Sequence, residues 1–188
     1  MTQQQVLIIG SVWVEPNSSA AGKRMLQLIT QFLERGHEVT FVSAAQKSEK
    51  AVDLISMGVH ESFIELNNIS FDHFIKKLQP QIVLFDRFIM EEQFGWRVAE
   101  YCPKAIRILD TEDLHCLRKT REICLKNNID FSQKELLKQD ISKREIAAIL
   151  RCDLSLIISV FEIEILKNIF KIEESILMYL PFLFDEID

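Results

Sequence analysis

The sequence predicts an α/β domain built on a doubly wound, mostly parallel sheet of six or seven strands. Three observations carry that expectation. Seven short apolar runs recur along the chain, at residues 6–9, 39–42, 63–66, 82–85, 106–109, 154–158 and 176–180. They are rich in β-branched or aromatic residues and nearly continuous rather than alternating, as strands buried on both faces are. Segments of helical periodicity lie between them, and parallel neighbours need such crossovers, which are right-handed.

The elements follow in order. After the first run, Met25, Leu28, Ile29, Phe32 and Leu33 form one helical stripe, and Gly36 stands where that helix would end. The insert between the fifth and sixth runs is longer and helical throughout. One helix is expected over 112–126. A second opens at Ser132, with Glu135 at capping-box spacing ahead of Leu136 and Leu137. Ser159 and Glu162 repeat that spacing after the sixth run; following a strand they could face the cleft, but the preferred reading is the capping box of a helix reaching Phe170. No linker, repeat or low-complexity segment interrupts the chain, so residues 1–188 read as a single domain. Phe182, Leu183 and Phe184 end it without a helix to cover them, and an exposed apolar patch is expected there.

Composition narrows the function classes. Hydrophobic residues make up 48% of the chain, enough for a sizeable core. The formal net charge is −6, and the basic residues are scattered (Lys23 with Arg24, Lys76 with Lys77, Lys143 with Arg144), which argues against a nucleic-acid partner. Cys102, Cys116, Cys124 and Cys152 show no CxxC spacing and read as free thiols in a reducing compartment. There is no basic n-region, and no run approaches the roughly 18 apolar residues of a membrane span. A cytoplasmic protein is expected.

In open α/β sheets ligands bind beyond the carboxyl ends of the strands, where strand order reverses. With the usual order 3-2-1-4-5, that crevice lies between the first and fourth strands. The loops that matter are then 11–21, 86–90 and 110–115. The first has no GxGxxG, since Gly10 and Gly22 stand twelve apart, and the second strand ends at Ser43 without a ribose-binding acid. A Rossmann-type nucleotide binder is thereby disfavoured. The loop does place Asn17, Ser18 and Ser19 at a helix start, with Gly22 permitting close approach. Free N–H groups there would hold a phosphate or a ligand hydroxyl, and Ser18 or Ser19 reads equally well as a plain N-cap. In the second loop Asp86 and Arg87 either pair with each other or face a ligand. In the second case Asp86 accepts from a hydroxyl and Arg87 grips an anionic group.

The third loop gathers Asp110, Glu112, Asp113 and His115 at one strand end, costly unless they are paired or face a cleft. A DxD-type metal site is discounted, because no second ligand cluster stands out. The preferred assignment makes Asp113 and His115 catalytic, with the carboxylates orienting substrate hydroxyls and His115 donating to the reacting group. The alternative for His115 is a ring tied to a backbone carbonyl.

Residues 106–121, which contain the string DTEDLHCLR, resemble the "DTxDLHxLR" segment of bacterial family-4-like glycosyltransferases with the two-lobed GT-B fold. Residues 17–22 leading to Arg24 and Met25 are similar to the acceptor loop of those enzymes. So are residues 144–153, followed by a strand and by Ser159, Glu162 and Leu166. The matches span most of the chain. The resemblance implies a Rossmann-like amino-terminal, acceptor-side lobe that moves a sugar from a nucleotide-sugar to a glycan or lipid-linked acceptor, in polysaccharide or surface-glycan synthesis. It implies no metal and no cofactor beyond the donor substrate, with the 110–115 loop facing the donor sugar. Most donor contacts would come from a carboxyl-terminal lobe absent here, so the chain alone is expected to be inactive. A lipid-linked acceptor would bring peripheral membrane contact, and the carboxyl-terminal apolar patch would meet the missing lobe or a second copy of the chain. The competing expectation is a non-catalytic α/β module that binds a glycan or a partner in the same crevice.

Overall fold

A computed structural model describes residues 2–182. The strands are β1 (Gln5–Gly10), β2 (Glu38–Ser43), β3 (His60–Phe63), β4 (Ile82–Asp86), β5 (Ile106–Asp110), β6 (Leu154–Ile157) and β7 (Leu177–Tyr179). The helices are α1 (Ala20–Glu34), α2 (Ser70–Leu78), α3 (Arg87–Tyr101), α4 (His115–Lys126), α5 (Gln133–Lys138), α6 (Asp140–Arg151) and α7 (Val160–Asn168). The strands form one sheet in the order β3-β2-β1-β4-β5-β6-β7, every pair parallel. Strand order reverses between β1 and β4, as expected, so the loops after β1, β4 and β5 share one edge.

Alternation along β1 separates two cores. Val6 and Ile8 pack with Met25, Leu28 and Ile29 of α1, while Leu7 and Ile9 face Phe71, Phe94 and Leu166 from the helices opposite. The α1 side thins beyond β4: Ile106 and Met178 project on that face and are 48% and 46% exposed. Helix α1 ends as its glycine predicts. Gly36 adopts φ 78°, its N–H reaches the carbonyl of Leu33, and the N–H of His37 reaches that of Phe32. This double turn needs a left-handed residue, which glycine adopts without a Cβ clash.

Three boundaries differ most from expectation, the others by one or two residues. The third strand is His60–Phe63, not 63–66. It lies at the sheet edge and is half exposed, so it lacks the apolar signature, whereas Ile64 just beyond it is buried and closes the core. Helix α4 begins at His115 rather than at 112, because Glu112 takes φ 59° and Leu114 is extended. The second insert helix is two helices, broken at Gln139, whose φ −71° and ψ 137° are extended. Of the apolar tail, Phe182 is half buried with its ring 5.7 Å from the Arg24 guanidinium, while Leu183 and Phe184 lie outside the described residues.

Candidate functional site

The three loops are tied together by buried polar contacts. The N–H and hydroxyl of Ser11, just past β1, both donate to Oδ2 of Asp86 at the end of β4, at 2.9 and 2.5 Å. Asp86 is 4% exposed, and its Oδ1 has no hydrogen-bond partner. In the neighbouring strand Asp86 pairs in register with Asp110, which is completely buried. Arg24 reaches across from α1: its Nε donates to both Asp110 oxygens at 3.0 Å, and its Nη1 donates to the carbonyls of Leu180 and Pro181. One guanidinium therefore joins α1, the end of β5 and the segment leaving β7. Asp110 is thereby held by the protein's own cation.

Arg87 and Glu112 sit at the starts of the second and third loops, and both have left-handed backbones, at φ 69° and 59°. Non-glycine residues adopt that region at an energetic cost, and such residues concentrate at functional sites. Their side chains meet, Arg87 Nε donating to Glu112 Oε2 at 2.6 Å, while Asp86 Oδ1 lies 3.6 Å from the same nitrogen. Arg87 thus pairs chiefly with an acid of the next loop rather than with its sequence neighbour. Burial pushes the Glu112 carboxyl above its ordinary pKa, the Arg87 hydrogen bond opposing it.

At the start of α4, three backbone N–H groups are taken by two buried carboxylates. Glu162 Oε1 accepts from Leu114 at 2.9 Å, and Glu145 accepts from His115 at 3.0 Å and from Cys116 at 2.7 Å. Glu145 and Glu162 are 1% and 7% exposed. The Nδ1 of His115 lies 3.1 Å from the Asp113 carbonyl, 3.4 Å from the Asp113 carboxylate and 3.6 Å from that of Glu145. Its ring meets Phe88 edge-on at 5.8 Å. Burial pulls the His115 pKa down, but the Glu145 and Asp113 charges outweigh it and hold it above the ordinary histidine value. Arg118 grips Asp113 through Nε and Nη2, at 2.7 and 3.3 Å.

The structure brings Asp86, Arg87, Asp110, Glu112, Asp113 and His115 to one edge, with Asp110 buried behind the rest. Of the first loop, Ser11 is bonded to that edge through Asp86, while Ser19 and Gly22 serve their own helix and loop. Ser19 caps α1, its Oγ accepting from the N–H of Gly22, so the plain N-cap reading applies to it. Asn17 and Ser18 are exposed and line an open depression of about 640 Å³ with Glu49 and Lys50. A Cβ on Gly22 would lie 2.2 Å from the carbonyl oxygen of Glu15, so the close approach it permits is to its own loop. Ser159 caps α7 as expected, but Glu162 reaches away to Leu114 instead of completing a capping box.

Arg24, Glu145 and Ser11 emerge as site-building residues that sequence reasoning did not single out. Glu145 had a signal, because it shares the buried stripe of α6 with Ser142, Ala148 and Ile149. A charged residue inside an apolar stripe needs a buried partner. Among the described residues no group of three or more His, Cys, Asp or Glu side chains is placed to hold a metal ion, and no helix is long and apolar enough to cross a membrane.

No protein-family model and no curated protein sequence matches this chain. Solved structures do match its fold. An α-glucosyltransferase in complex with UDP-glucose and DNA containing an abasic site is similar over 98% of this chain and 44% of its own, with a TM-score of 0.57 and 16% identity. The lipopolysaccharide outer core galactosyltransferase WaaB, in its apo form, is similar over 94% of this chain and 46% of its own, at TM-score 0.56 and 14% identity. The sucrose-phosphate synthase of Thermosynechococcus elongatus is similar over 95% of this chain and 48% of its own, at TM-score 0.60 and 12% identity. At such identities the likeness is one of fold. The chain has the Rossmann-like lobe fold of two-lobed GT-B glycosyltransferases and spans less than half the length of these structures.

Proposed function

We propose that this chain is the acceptor-side lobe of a glycosyltransferase that moves a sugar, of hexose type, from a nucleotide-sugar donor to a glycan or lipid-linked acceptor. The observation that carries the proposal is Oδ1 of Asp86, buried at the strand-order reversal between β1 and β4 with no hydrogen bond and only the 3.6 Å approach of Arg87 Nε. A buried carboxylate oxygen without a donor is a costly arrangement that a ligand hydroxyl relieves. His115 and Asp113 stand at the end of the neighbouring loop as the proposed catalytic pair. They orient the reacting hydroxyl and exchange its proton.

The charge balance supports an acceptor-side role. Arg24, Arg87 and Arg118 stand among Asp86, Asp110, Glu112, Asp113, Glu145 and Glu162, so carboxylates outnumber guanidiniums two to one. Such an edge favours hydroxyls over a diphosphate. The donor nucleotide is accordingly assigned to a second lobe, and no metal or further cofactor is invoked. The net charge of −6 favours a glycan or lipid-linked acceptor over DNA, although several of the matched α-glucosyltransferase structures are described in complex with DNA. Phe63, the last residue of β3, and Leu66 and Ile69 beyond it are exposed on the same edge of the sheet. They support a lipid-linked acceptor and peripheral membrane contact, with the chain working in the cytoplasm in polysaccharide or surface-glycan synthesis.

The experiment is a glycan and lipid-oligosaccharide binding screen on this chain, repeated with Asp86→Asn. Binding that Asp86→Asn weakens by about tenfold or more, the worth of one hydrogen bond to a charged group, is the expected result. Binding indifferent to Asp86→Asn would remove the site.

A further inference from the structure

The N-terminus of α4 lies at the candidate site, and a helix start is ordinarily a place for an anion. Here the protein fills it from within. The N–H groups of Leu114, His115 and Cys116 all point into carboxylates, one from α7 and one from α6. A donor phosphate is thereby excluded from this helix end, because its place is taken by two buried acids.

The same arrangement fixes the histidine. Every group within reach of His115 Nδ1 is an acceptor: the Asp113 carbonyl, the Asp113 carboxylate and the Glu145 carboxylate. Nδ1 must therefore carry a proton, and in the neutral ring the lone pair belongs to Nε2. Helix α3 brings Phe88 edge-on to the ring and places Arg87, paired with Glu112, near Asp113, while Arg118 on α4 is engaged by Asp113. Glu145 thus acts on His115 twice, through its backbone N–H and through its imidazole.

We propose that Glu145 is the positioning residue for His115, holding the imidazole, together with the Asp113 carbonyl at 3.1 Å, in the Nδ1–H form with Nε2 as its exchanging nitrogen, while Glu162 fixes the adjoining turn. The catalytic consequence rests on the transferase reading above; the tautomer and the titration of the ring do not. A failed transfer assay therefore leaves this proposal standing, and the reverse.

The test is nitrogen-15 NMR of the imidazoles of this chain, with the His115 signal assigned by its loss in His115→Gln. In the unsubstituted chain the neutral ring is expected to be Nδ1-protonated and to titrate above free histidine. In Glu145→Gln the titration is expected to fall by about one pH unit or more, since an opposite charge within about 4–6 Å is removed. Glu162→Gln, which breaks a similar backbone bond away from the ring, is expected to move it much less. An Nε2-protonated neutral ring in the unsubstituted chain would overturn the proposal without any variant. So would a Glu145→Gln titration equal to the unsubstituted one, or equal shifts in both variants.

Discussion

Arg24→Met leaves the Asp110 carboxylate buried without its cation, while the carbonyls of Leu180 and Pro181 lose their donor. Breaking a buried pair from one side costs about 3–5 kcal/mol, because the remaining charge is uncompensated. Chemical denaturation of the variant should show a loss of that size, and the double variant Arg24→Met with Asp110→Leu should recover much of it. Equal losses in single and double variants would mean the pair is not the cause. His115 supplies a pH signature of its own. Its folded-state pKa lies above the unfolded value, so it stabilises the fold fully below the unfolded pKa of about 6.5, and that contribution fades as pH rises through the folded pKa. The melting temperature of the unsubstituted chain should therefore fall relative to His115→Gln as pH rises above about 6.5. Parallel profiles would contradict the charge network drawn around the ring.

At the scale of elements, the sequence was legible wherever one local rule decided the outcome. Continuous apolar runs gave parallel strands, fully buried in the centre of the sheet at β1, β2 and β4 and more exposed toward β7. Gly36, Ser132 and Ser159 marked helix ends through bonds within one turn. It was illegible where a partner lay far along the chain. Glu162 has the local spacing of a capping box, yet its carboxylate answers Leu114, forty-eight residues away. The edge strand β3 escaped for a related reason: an edge is buried on fewer sides, and periodicity weakens with it. Two substitutions test the element ends. Ser159→Ala removes the acceptor for the Glu162 N–H and should cost about 1 kcal/mol in denaturant unfolding. Gly22→Ala drives a methyl group into the Glu15 backbone and should cost about 1–3 kcal/mol, as overpacking does. A neutral Gly22→Ala would show that α1 and the first loop are not tightly apposed.

For the whole molecule, the proposed function makes this chain one wall of a cleft. Three loops on one edge of a parallel sheet present a histidine and a surplus of carboxylates, while the matched structures run to about twice this length. Holding two reactants in register is worth about 7–11 kcal/mol of a barrier, and one wall of a cleft cannot supply it. The most direct measurement is sugar transfer from a panel of nucleotide-sugar donors, UDP-sugars first. It compares the 188-residue chain alone with the same chain joined to a carboxyl-terminal donor-binding lobe. The account predicts no measurable transfer by the chain alone and turnover by the two-lobed protein, lowered by about 10²–10⁴ in His115→Ala, the usual worth of general acid–base help. Robust turnover by the 188-residue chain alone would contradict it.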